Sequence, residues 1–274
     1  MTPLPGVDAL LDHGDIFLVD QFGTLHDGIR PYPGALEGLR LLRAAGTRVA
    51  LVSNSGKRAA PNQARLSRLG FPPDSFDVLL SSGEVAWQHL AQEGGAGRRC
   101  LVLNRGDDDG FLDGLDWRAA DRAEDADLVL IAGSEADRRS LESYRALLAP
   151  AASRQVPCLC TNPDRTMLVP GGTAPGAGQI AALYADMGGP VTWIGKPYPA
   201  IYAATLKALG AAAGPRVIGV GDSVEHDVVG AHAAGCRAAL VLTGIAAGLE
   251  EAGIAAETAR WHASPELVLS RFAV

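Results

Sequence analysis

No apolar run in the chain approaches the roughly 20 residues that a membrane-spanning helix needs, although 47% of the 274 residues are hydrophobic. An excess of positive charge is missing too. Lys and Arg number 24 against 31 Asp and Glu, for a net charge of −7. Nucleic acid and anionic membrane surfaces want a basic face, so neither is an expected partner. A small phosphorylated substrate remains compatible with this balance if a divalent cation supplies local positive charge. Cysteine is scarce: Cys100, Cys158, Cys160 and Cys236 form no C-x-x-C pair. They read as small core residues of strands rather than as a disulfide frame or a zinc site. The opening Met1-Thr2-Pro3-Leu4-Pro5 has neither the basic start nor the apolar core of a signal peptide, and a cytoplasmic location is expected. No internal repeat or low-complexity tract is found.

What is present is a series of short apolar runs that stop abruptly on polar residues. Residues 16–20 read Ile-Phe-Leu-Val-Asp, and Gly23-Thr24 follows closely. A short apolar run bounded by turn residues is a buried strand. Pro33 is placed to open a helix with Leu36, Leu39 and Leu42 on its apolar face, and Gly46 to end it. Residues 48–52 form a second strand, 61–69 a helix and 76–80 a third strand. This β-α-β-α-β order predicts a parallel sheet with right-handed crossovers.

A middle region is expected to form a separate α/β lobe, with strands at 100–103, 128–131 and 157–160 and helices at 84–92 and 138–148. Its Asp-rich stretch from Asp107 fits no twelve-residue calcium loop and reads as solvated loop. Gly171 to Gly176 reads as a linker. The last region alternates helix and strand again: helix 179–187, strand 191–194, helix 201–209, strand 216–220, a helix from Glu225 and strand 237–242. Ser264 and Pro265 read as the cap and first residue of a closing helix. The expected organisation is therefore a core of residues 1–83 and 176–274, with an α/β lobe of residues 84–175 inserted into it.

Four strand ends carry chemistry. They offer Asp20, Ser53, Lys196 and Asp222, and in parallel strands all four would meet at one edge of the sheet. A carboxylate there can attack a phosphoryl group. Mg2+ is a hard ion that takes carboxylates, phosphate and water, and Asp20 with Asp222 would supply the carboxylates. Lys196 and the Ser53 hydroxyl would face the phosphoryl oxygens. Asp227 opens the next helix and could hold a metal-bound water. Each of these segments alone is also ordinary turn or cap chemistry. The signal is their joint occurrence, in order, at the ends of apolar runs.

Together, DQFGTL, VSNSG, GKP and GDSVEHD resemble the four motifs of the haloacid dehalogenase superfamily, across essentially the whole chain. The inserted region, with Thr161-Asn162-Pro163-Asp164, resembles the α/β cap of its class IIA, a group of p-nitrophenyl-phosphatase-like and sugar- or nucleotide-phosphatase-like enzymes. The resemblance implies a Rossmann-like core with an α/β cap, and a Mg2+-dependent phosphatase working through an aspartyl-phosphate on Asp20. It implies metal ligands from Asp20, the Phe22 backbone carbonyl and Asp222, with Asp227 in support. Ser53 and Lys196 would bind the phosphoryl group. Asn54, Ser55, Asn162 and Asp164 would lie near the substrate. It also favours a homodimer.

One position departs from the pattern. The family's phosphatases have a second Asp where this chain has Phe22. That Asp protonates the leaving group and then activates water, help worth roughly 10² to 10⁴ in rate. His26 is the nearest substitute in sequence, although a lone loop histidine is more often solvated. The alternatives are a phosphate-ligand binder without turnover, or a metal-free dehalogenase, whose own motif carries an aromatic residue at this position.

Overall fold

The computed structural model describes residues 3–106 and 110–274. Asp107, Asp108 and Asp109, in the stretch read as solvated loop, lie outside them. The chain divides into two units.

The first unit comprises residues 1–53, 60–80 and 196–274. Its sheet begins with β1 (Ile16–Asp20), β2 (Arg48–Ser53) and β3 (Val78–Ser81). The second unit supplies β4 (Arg99–Leu103), β5 (Arg118–Ala119), β6 (Leu128–Ile131), β7 (Cys158–Cys160), β8 (Thr166–Val169), β9 (Gly172–Pro175) and β10 (Val191–Trp193). The first unit then adds β11 (Val217–Gly221), β12 (Arg237–Val241) and β13 (Leu267–Leu269). The first sheet has the order β13-β12-β11-β1-β2-β3. Its central strands are parallel: Val19 of β1 lies opposite Leu51 of β2 on one side and Val220 of β11 on the other. The strand interiors are buried and apolar, as parallel sheets require. Phe17, Val19, Val49, Leu51, Ile218 and Val220 join Leu39 and Leu42 of helix α1 (Ala35–Ala44) in one core.

The second unit comprises residues 54–59 and 81–195. Its parallel sheet runs β10-β7-β6-β4-β5, and β8 and β9 form a separate antiparallel hairpin. Helices α3 (Ser82–Glu93), α4 (Leu141–Ser153) and α5 (Ala177–Asp186) belong to it, whereas α2 (Ala59–Arg68) lies in the first unit from its second residue on. Tyr184 of α5 is fully buried and donates from its hydroxyl to the Val156 carbonyl at 2.7 Å. The four cysteines are free and buried.

Three sequence expectations change. The first concerns the strand leading to Lys196. It pairs in parallel with β7, so the second unit extends to Gly195 rather than to residue 175. A short apolar strand does not state which sheet it will join; the burial of α5 on the second unit's core decides it. Second, the stretch from Gly171 to Gly176 is not a linker, because its residues supply β9 of the hairpin. Third, the closing segment is β13 instead of a helix. Leu267, Val268 and Leu269 are all buried beside β12, while the helix lies earlier, as α8 (Glu251–Trp261). The remaining helices are α6 (Pro199–Leu209) and α7 (Val229–Ala233). No helix among the described residues is long and apolar enough to cross a membrane.

Candidate functional site

The register of the first sheet sets the site. β1, β2 and β11 are in step, so their ends bring Asp20, Ser53 and Asp222 to the same edge. This edge is where open α/β sheets hold ligands. Asp20 is 8% exposed, Ser53 6% and Asp222 3%.

Lys196 joins them from the loop before α6. It is 4% exposed, and its Nζ donates to Asp20 Oδ1 at 2.5 Å and Asp227 Oδ1 at 2.6 Å. Asp227 sits on a single π-helical turn, Val224–Val228. Such turns often occur at functional sites because they re-aim one side chain. Its second oxygen accepts from the Ser223 backbone N–H at 3.1 Å. Asp227 is thus held at both oxygens and orients Lys196. Asp222 Oδ2 accepts from the Ile245 backbone N–H at 2.6 Å.

Carboxylate oxygens of Asp20, Asp222 and Asp227 lie within 4.8 Å of one another. Three acids face one ammonium, and Asp20 and Asp222 resist ionisation. Burial pushes Asp20 up to about 6, opposed by the Lys196 charge. Asp222 rises to about 8 through burial and then the charges of Asp20 and Asp227. Burial alone would discharge Lys196, but Asp20 and Asp227 outweigh it and hold the ammonium above its usual range. Hard oxygen donors with surplus negative charge fit a divalent cation such as Mg2+.

Phe22 is 42% exposed, and its ring meets the His26 ring edge-on at 6.0 Å. His26 is not the solvated loop histidine expected from the sequence, for it is fully buried. Its Nδ1 accepts from the Gly28 backbone N–H at 3.0 Å, which leaves the proton on Nε2. That Nε2 finds no partner among the described residues. Burial, then the Arg65 charge, push the imidazole down to about 4, against a smaller opposite pull from Asp27. A neutral ring with so low a pKa does not serve as an acid near pH 7.

The same burial predicts a pH dependence of stability. The folded pKa lies below the ordinary value near 6.5, so the unfolded chain takes up the proton first. The contribution is whole above about pH 6.5 and is lost as pH falls toward about 4. In urea unfolding, wild type is expected to lose about 2 kcal/mol more than His26→Gln between about pH 7 and about pH 4.5. Parallel losses in the two proteins would show that His26 is not the source.

The other predicted residues lie in the second unit. Asn54 follows β2 directly and is 8% exposed. Its amide donates to Asp164 Oδ1 at 2.8 Å. Asn162 turns back on its own loop, its Oδ1 accepting from the Asp164 N–H at 3.1 Å. A Cβ on Gly195 would stand 2.5 Å from Ser82 Oγ and 2.9 Å from Asn54 Oδ1. Asn54, Ser82, Asp164 and Gly195 therefore form one polar corner, with Ser55 half-buried beside it in sequence. Sequence reasoning missed the turn at Thr243–Ile245 that meets Asp222. Its signal was available, since β12 is another apolar strand that ends on Thr-Gly.

The chain is similar to proteins of known family. Residues 17–118 match the family model described as haloacid dehalogenase-like hydrolase, and residues 193–273 match a second, HAD-hydrolase-like model. Chronophin of Bos taurus is 33% identical over 257 residues, covering 86% of this chain and 83% of its own length. A haloacid dehalogenase-like hydrolase of Brucella suis has a similar structure, with a TM-score of 0.80 at 30% identity, covering 90% of this chain and 95% of the other. The glycerol phosphate phosphatase of Mycobacterium tuberculosis, solved with magnesium, gives a TM-score of 0.75 at 27% identity, over 98% of this chain and 78% of that one.

Proposed function

We propose that this chain, which belongs to the haloacid dehalogenase-like hydrolase family, is a Mg2+-dependent phosphatase of a small phosphorylated metabolite, with Asp20 as its nucleophile. One observation carries the reading: Lys196 bridges Asp20 and Asp227, with the Asp222 carboxylate close by, at the sheet edge. The family's phosphatase-named relatives support it, and so does the magnesium found with one of them.

Asp20 attacks the phosphorus, and the bond to the leaving oxygen breaks as an aspartyl-phosphate forms. Water then attacks that phosphorus and returns the free carboxylate with inorganic phosphate. Lys196 and Ser53 face the phosphoryl oxygens, whose charge they balance. Asp20, the Phe22 carbonyl and Asp222 would hold Mg2+, with Asp227 in support. When bound, the ion offsets the carboxylates' charge and polarises the phosphoryl group. Asn54, Ser55, Asn162 and Asp164 would contact the rest of the substrate. No acid stands at Phe22, so turnover favours esters whose leaving group departs without a proton.

The test is phosphate release from p-nitrophenyl phosphate and a panel of phosphorylated metabolites, with Mg2+ and with EDTA. Release that needs Mg2+ is expected. Chloride release from 2-haloacids in EDTA, with every phosphate ester inert, would replace this reading with dehalogenation.

A further inference from the structure

The turn after β12 is built against Asp222 in a way the family motifs do not describe. Thr243, Gly244 and Ile245 meet two other segments there. The Ile245 backbone N–H donates to Asp222 Oδ2 at 2.6 Å. The Thr243 hydroxyl donates to the Gly23 carbonyl at 2.5 Å.

The packing leaves no slack. A Cβ on Gly244 would sit 1.9 Å from Asp222 Oδ2 and 2.5 Å from the Gly23 Cα. A Cβ on Gly23 would sit 2.1 Å from the same carboxylate oxygen. Both residues have positive φ, at 52° and 90°. Glycine reaches those angles freely, and here it also permits the approach.

We infer that Thr243 is a positioning residue for the cation site, tying the Gly23 turn to the backbone N–H that holds Asp222. The inference rests on the reading of Asp222 as a metal ligand. Thr243 is not among the proposed ligands of substrate or ion. Its hydroxyl joins the loop that carries Phe22 to the turn that fixes Asp222, so two of the proposed ligand positions keep their spacing before the ion arrives. A preformed oxygen cage matters for Mg2+, which demands near-ideal octahedral geometry.

The experiment compares wild type, Thr243→Val and Thr243→Ser as full-length proteins without substrate. Isothermal calorimetry reads Mg2+ affinity, and hydrogen exchange of the Ile245 amide reads the bond to Asp222 in metal-free protein. Thr243→Val is expected to bind Mg2+ about tenfold more weakly, the order set by one lost hydrogen bond. Its Ile245 amide should exchange faster by a similar factor. Thr243→Ser should recover affinity to within about twofold. Wild-type affinity in Thr243→Val overturns the inference, and so does wild type that takes up no Mg2+. Should valine prevent folding, as judged by circular dichroism, Thr243→Ala takes its place: weaker Mg2+ binding supports the inference and wild-type affinity overturns it. Wild type that binds Mg2+ yet hydrolyses no phosphate ester would defeat the phosphatase reading alone, since this comparison is made on binding.

Discussion

Asp20→Asn is expected to lower phosphatase kcat by about 10⁴-fold or more, as loss of a nucleophile does elsewhere. An amide cannot form the aspartyl-phosphate, and no neighbour replaces it. Asp227 has both oxygens engaged, by Lys196 and by the Ser223 N–H. Asp222 is held by the Ile245 N–H and has a pKa of about 8. Loss of turnover should come without loss of fold. The carboxyl of Asp20 is pushed up to about 6 by burial, so at neutral pH its ionisation works against the folded state. Asparagine keeps the shape and removes one of three crowded carboxyl groups. The metal-free melting temperature of Asp20→Asn should therefore not fall below that of wild type. A single-turnover experiment with p-nitrophenyl phosphate checks the chemistry, and a thermal melt in EDTA checks the fold. A burst of nitrophenolate in Asp20→Asn would show that another group attacks.

Phe22→Asp should move activity the other way. The position now offers a half-exposed ring in edge contact with His26. Its removal leaves no core cavity, so the stability change should stay within about 1 kcal/mol. A carboxylic acid there can protonate the leaving oxygen and then take a proton from water. The gain depends on the ester. Nitrophenolate leaves without help, so kcat for p-nitrophenyl phosphate should change little. An alkyl phosphate such as glycerol phosphate needs the proton, and its kcat should rise by about 10² to 10⁴. A series of aryl and alkyl phosphates with graded leaving-group pKa measures this directly. Wild type should slow steeply as that pKa rises, and Phe22→Asp should flatten the slope. Equal slopes would remove Phe22 from the account of leaving-group departure.

Much of this was legible in the chain. Ile16 to Asp20 announces a buried strand that ends on an acid; 217–222 repeats the theme, and 48–53 ends on the hydroxyl of Ser53. Parallel pairing then forces their ends together, which is why Asp20, Ser53 and Asp222 meet as expected. Lys196 also arrived where the motif placed it, although its preceding strand belongs to the other unit's sheet. That difference was invisible because short apolar strands carry no address. The burial of His26 was hidden because its surroundings come from distant segments: the Phe71 ring lies 6.5 Å from it, and Arg65 lowers its pKa. The role of Thr243 was hidden in the same way, since its partner Gly23 lies 220 positions away.

The unit borders bear on how the proposed chemistry is divided along the chain. The chain leaves the first unit after Ser53, returns at Ala60, leaves again after Leu80 and rejoins at Lys196. Every side chain proposed to form or break the phosphorus bond belongs to the first unit. Asp20, Ser53, Lys196, Asp222 and Asp227 all lie there, whereas Asn54, Ser55, Asn162 and Asp164, proposed to contact the rest of the substrate, belong to the second unit. The proposed bond chemistry and the proposed substrate contacts are thereby separated along one polypeptide, and two of the seams fall at the peptide bonds next to Ser53 and Lys196.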